Sequence, residues 1–241
     1  MIPLQLIGNA LLLWVIYYWL GIGEGSAGEL IWSALVALAI AFAACWLHGA
    51  AFAYFGPAKR QLRPACARTL RHVLPLLLAA CAAAGVYILL ARCGTWSARP
   101  AFRIASYLTL KLRTPVKPSS VLRWFHGAIW LLEWMVVPVL ALPMLAGIAS
   151  RGWAGFADFG ARARSWLYWI ATPVLTLLAL WVPFRIYGWV PHAGSFGMEM
   201  TSFVLRIAAA YLLFLGAWLS LVFITSGGMP RFTHSRTAAS P

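Results

Sequence analysis

From Val121 to Ala149 the chain reads VLRWFHGAIWLLEWMVVPVLALPMLAGIA, an almost wholly apolar run holding one carboxylate. About 20 apolar residues are enough to cross the ~30 Å hydrocarbon layer of a bilayer as a helix. A run this long with so few charges therefore predicts a membrane-spanning helix. The carboxylate, Glu133, lies near mid-span, seven residues after His126. An acid at that depth is costly in lipid, so it is expected to face protein or water.

Five further runs have the same character: 2–22, 30–55, 73–91, 166–184 and 201–224. The chain is 63% hydrophobic and 10% charged, with a mean hydropathy of +0.82. Soluble domains are nearer 45–50% apolar and about 25% charged. The predicted fold is an all-α polytopic membrane bundle of six transmembrane helices, one domain over residues 1–224. The Ser- and Thr-rich tail, 225–241, is expected to be disordered.

Within the spans, small and polar residues mark helix contacts. Gln5 and Asn9 are four apart and share a face, so they are expected to bond to a neighbouring helix. Trp14, Tyr17, Tyr18 and Trp19 crowd one end of the first span, as aromatic groups do at headgroup level. Ala34, Ala37, Ala41, Ala44 and Gly49 in the second span, and AACAAAG at 79–85 in the third, allow close approach of backbones. Cys45 and His48 make a single C-x-x-H turn, too few ligands for a metal or haem. No CxxC pair exists among Cys45, Cys66, Cys81 and Cys93.

Nineteen Lys and Arg stand against five acids, a formal net charge of +14. The cations fall between apolar runs, which points to headgroups and orientation rather than nucleic acid. One basic loop, 56–72, holds Lys59, Arg60, Arg63, Arg68 and Arg71. A second, 92–120, holds Arg92, Arg99, Arg103, Lys111, Arg113 and Lys117. Inside it, AFRIASYLTLKLR (101–113) has two sides when read as a helix. Phe102, Ala105, Leu108 and Leu112 line one, and Arg103, Tyr107 and Lys111 another. It is too short to span and predicts an amphipathic interfacial helix, although Leu108–Arg113 also alternates like a strand. With a cytoplasmic amino terminus the inner segments carry ten Lys and Arg and the outer eight, a small positive-inside preference. The expected setting is a bacterial inner membrane, with both termini cytoplasmic.

Catalytic sets are missing. There is no HExxH, P-loop or GxGxxG unit, and no second carboxylate near Glu133 for acid–base hydrolysis. Arg92 to Pro100 has the R-x6-R-P shape that is similar to the first phosphate-binding motif of lipid phosphatases, but no histidine nucleophile motif follows. No cofactor or metal is expected. Glu133, His126 and Arg206 are predicted to form a polar cluster in one half of the bundle. The leading expectation is a non-catalytic accessory or scaffold subunit. Its basic interfacial segments would engage anionic lipids, a membrane protein partner or a second copy of the chain. The alternative is a transporter or channel for an anionic or lipid-like solute using the cluster around Glu133.

Overall fold

The computed structural model describes residues 1–23, 25–56, 60–189 and 195–228. Glu24, Lys59, His192 and the tail from Met229 lie outside them. Ten α-helices occur among the described residues, and no strand. Helix α1 covers Ile2–Leu20, α2 Ala27–Phe55, α3 Leu62–Arg71, α4 Val73–Trp96 and α5 Ala98–Leu112. Helix α6, Pro118–Leu131, runs through a π-helical turn, Leu132–Val136, into α7, Val137–Arg151. Helix α8, Trp166–Thr176, runs likewise through Leu177–Trp181 into α9, Val182–Gly188. Helix α10 spans Phe196–Phe223. Six helical stretches are long and apolar enough to cross a membrane: α1, α2, α4, α6–α7, α8–α9 and α10. The chain is an all-α integral membrane bundle.

Local chemistry sets the ends. Ser26 accepts from Glu29 N–H and the Glu29 carboxylate accepts from Ser26 N–H, a reciprocal cap that starts α2. Prolines stand in the first turns of α1 and α6, where their missing N–H costs little. The loop 56–72 is not irregular throughout, because α3 folds beneath α2. Trp46 donates to the Cys66 carbonyl at 3.2 Å, and a Cβ on Gly49 would stand 2.6 Å from Thr69. Only glycine lets α3 and α4 come this close to α2.

The core lies toward the Met1 end of the bundle. Ala51, Phe52, Leu76, Ala79, Leu142, Ile148, Ala149, Leu221 and Val222 meet there, from α2, α4, α7 and α10. Most other large apolar side chains face outward, where lipid is their solvent. Gln5 is fully buried and donates to the Leu47 carbonyl at 2.8 Å, while Asn9 donates to the Gln5 side chain at 3.0 Å. Below the core, the 3-10 turn Gly152–Asp158 folds back on α7. A Cβ on Gly155 would stand 2.1 Å from the Ile148 nitrogen, so backbone rests on backbone. Arg151 and Asp158 form an ion pair across this turn.

Residues 225–228, expected in the tail, are among those described. Thr225 is 2% exposed in the π-helical turn Ile224–Gly228, 3.3 Å from the Tyr168 hydroxyl, and Arg162 donates to the Ile224 carbonyl.

Candidate functional site

The site is built from one proline outward. Pro138 has no N–H to give, and its ring would clash with a carbonyl one turn earlier. The helix answers by widening: Val137 N–H donates to the Leu132 carbonyl, five residues back rather than four. In that register Glu133's carbonyl falls to Pro138 and has no backbone donor. Tyr87 of α4 supplies one, its hydroxyl donating at 2.9 Å. An unmade bond here would leave a bare carbonyl at the level of the hydrocarbon. Glu133 is half-buried at this contact with α4. The same construction recurs ahead of Pro183, where Val182 N–H donates to Leu177.

Beyond this turn, α4–α5 and α6–α7 form one long antiparallel hairpin. Leu76 and Ala79 meet Ile148 and Ala149 in the core, Tyr87 reaches Glu133, and Gly94 abuts Ile129. Higher still, Ala101 and Ala105 are buried against Val121, with Leu122 and Phe125 beside them. Thr109 closes the turn by accepting from Val116 N–H at 3.0 Å. The chain from Leu76 to Ala105 rises about 43 Å at 1.5 Å per residue. Hydrocarbon fills only about 30 Å of a bilayer. Helices α5 and α6 run alongside each other at the far end of the hairpin from the core. Segment 101–112 is helical, Arg113 follows it in a left-handed conformation, and the strand alternative is excluded. Its covered face is Ala101 and Ala105, while Phe102 and Leu112, expected on a common face with Ala105, are exposed.

Alanine packing brings the two helices close and leaves the cations and most of the large side chains of the hairpin outside. Arg99, Arg103, Lys111, Arg113, Lys117 and Arg123 are exposed, with Lys111 6.0 Å from the Tyr107 ring centroid. Phe102, Tyr107, Leu110 and Trp124 are exposed among them, the last two at 80%. No Asp or Glu occurs between Glu29 and Glu133. The hairpin is thus a surface of cations and aromatic or aliphatic groups with no carboxylate to neutralise it. On the opposite end of the bundle, Arg60, Arg63 and Arg71 are exposed and Arg68 is half-buried on or beside α3.

The three residues of the predicted cluster sit apart in their bonding. Arg206 Nε donates to the Ser202 carbonyl at 3.2 Å, and Nη1 donates to the carbonyls of Tyr187, at 3.2 Å, and Trp189. It thereby caps the end of α9, where the helix dipole favours a cation. Helix α10 packs on α2, α8 and α9. The turn holding Glu133 packs on α8, and α6 on α4. His126 is exposed on α6. No hydrogen bond or ion pair joins Glu133 to His126 or Arg206 among the described residues. The π-helical turn was not read from the sequence, where Pro138 was the available signal.

His48, of the C-x-x-H turn, makes no hydrogen bond among the described residues. Its Nδ1 and the Trp218 Nε1 are both buried without a partner among the described residues, and their rings meet edge to face at 4.9 Å. No group of three or more His, Cys, Asp or Glu side chains gathers as a metal site among the described residues.

Comparison with protein-family models, with curated proteins and with solved structures gives no match to this chain.

Proposed function

We propose that this protein is a non-catalytic membrane component whose α5–α6 hairpin docks on an acidic surface of a membrane partner. The observation that carries the reading is the hairpin's composition: six exposed cations, large exposed apolar groups that include Phe102, Tyr107, Leu110 and Trp124, and no carboxylate, on helices whose mutual packing uses alanine. Cations and aromatic side chains together are what protein interfaces use as anchors. At the hairpin's base, Arg92, Trp96 and Arg99 sit where anionic headgroups would lie. Two depressions on α10, one against α1 and one beside the end of α9, touch neither Glu133 nor His126, which favours this reading over solute passage through that pair. The favoured orientation places Met1 and α3 on the cytoplasmic side and the hairpin outside.

The test places a photo-crosslinking amino acid at Leu110 in native membranes. A discrete adduct is expected, and it should vanish in the triple variant R103E/K111E/R113E. An absent adduct, or one indifferent to those charges, overturns the reading. A shift to lipid adducts alone would show that the hairpin lies down on headgroups instead.

A further inference from the structure

Helix α10 carries two depressions on neighbouring faces. The upper, of about 680 Å³, lies beside the end of α9 and is lined by Ile186, Trp189, Met198, Thr201, Leu205 and Arg206, among others. The lower, of about 510 Å³, lies between α10 and α1 and is lined by Leu6, Ala10, Ala208 and Leu212, with Tyr211 donating to the Leu6 carbonyl at its edge. From Leu205 to Tyr211 the step along the helix is about 9 Å, toward the middle of the bundle.

Arg206 stands in the upper depression, held by three carbonyl acceptors. Carbonyls fix its plane but leave its charge uncancelled. Its Nη2 makes no hydrogen bond, and no carboxylate pairs with it, among the described residues. A guanidinium held this way offers unspent donors to one more acceptor, and an oxyanion suits it best. Its depth is bounded too. Arg206 lies about 28 Å along α10 from Thr225, which is tied to Tyr168 near the other face. That distance is about one hydrocarbon thickness. The cation therefore sits where headgroups meet acyl chains.

We propose that these two depressions are a binding site for one anionic lipid. Its phosphate or carboxylate rests on Arg206, and one acyl chain runs down past Leu205 and Leu212 into the crevice against α1. A soluble anion would gain nothing from the apolar lower half. A zwitterionic headgroup would bring its own cation to a site that has no carboxylate to receive it. The site is on α10 and does not depend on the hairpin's docking role.

The experiment is native mass spectrometry of the full chain released from nanodiscs of equal phosphatidylcholine and phosphatidylglycerol. One phosphatidylglycerol should remain per chain. R206Q should lower its retention about tenfold, the size of one lost charge-assisted contact. Because R206Q also unties α9, A209W carries the decision: it fills the upper depression and leaves all three carbonyl bonds of Arg206 in place, and it should lower retention as far. R103E/K111E should keep the lipid, so failure here is separable from failure of the hairpin reading. Competition by palmitate but not by inorganic phosphate is expected, since head and chain are both needed. Equal retention of phosphatidylcholine, wild-type retention by A209W, or displacement by inorganic phosphate alone would overturn the proposal.

Discussion

Tyr87 isolates a single hydrogen bond whose acceptor has no backbone alternative. Replacing it by Phe should lower stability by about 1–2 kcal/mol, the cost of leaving one carbonyl unpaired at the level of the hydrocarbon, as read by unfolding in bicelles. Glu133→Gln should leave stability near wild type, because the main-chain oxygen is the acceptor and not the carboxylate. Gly155→Ala should be the harsher change. Its Cβ would meet the Ile148 nitrogen at 2.1 Å, and backbone cannot yield as a flexible side chain does. Loss of folded protein in a thermal melt, while Gly85→Ala remains folded, is the expected result, since nothing lies within 4 Å of a Cβ at Gly85. On α3, burial pushes the Cys66 thiol above its ordinary value of 9.0. Since burial disfavours the thiolate and only the thiolate reacts, maleimide should label Cys66 slowly at neutral pH and faster as pH climbs past 9.

The widened turn before Pro138 is an element with a measurable signature. Pro138→Ala supplies an amide that can reach either the Glu133 or the Trp134 carbonyl, and in both registers Glu133 acquires a backbone donor. The penalty of Tyr87→Phe should therefore shrink in a Pro138→Ala background, and a double-mutant cycle should show coupling near 1 kcal/mol. Undiminished additivity would mean that Tyr87 acts through something other than that carbonyl. The elements differ in how far the residues disclosed them. Six spans were legible because a lipid-facing helix writes its environment directly into hydropathy. Helix α3 was not, since its buried side is only Ala65 and Thr69, and three arginines within ten residues look like a loop. For α5 the helical period was readable, but not which side would be covered. Phe102 and Leu112 look like a core stripe, yet the neighbour α6 takes Ala101 and Ala105, because only small groups let two helices lie this close. That no bond joins Glu133, His126 and Arg206 among the described residues has a similar reason. Depth along a span can be counted from sequence, but which helices are neighbours cannot, and Arg206 found the end of α9 before any carboxylate.

At the scale of the whole chain, the hairpin and α3 mark opposite ends of the bundle. In a background lacking the four native cysteines, S106C and R63C should therefore react with a membrane-impermeant reagent from opposite sides of sealed vesicles. Labelling of both from one side would contradict the six-span architecture. The cationic end and the end holding the shared core are joined by one continuous rod, and that rod contains a single surplus residue in its spiral. One residue of an α-helix corresponds to about 100° of rotation. Closing that turn into regular α-helix with every residue kept, as Pro138→Ala would permit, would swing Trp124, His126 and Arg123 by roughly a quarter-turn while everything below Pro138 kept its seat, whereas deleting Met135 would remove the surplus and leave their bearing unchanged. The compass bearing of the distal arm is thus set by a proline twelve to fifteen residues away, and a partner that recognises that bearing would be lost without any change in the surface it touches.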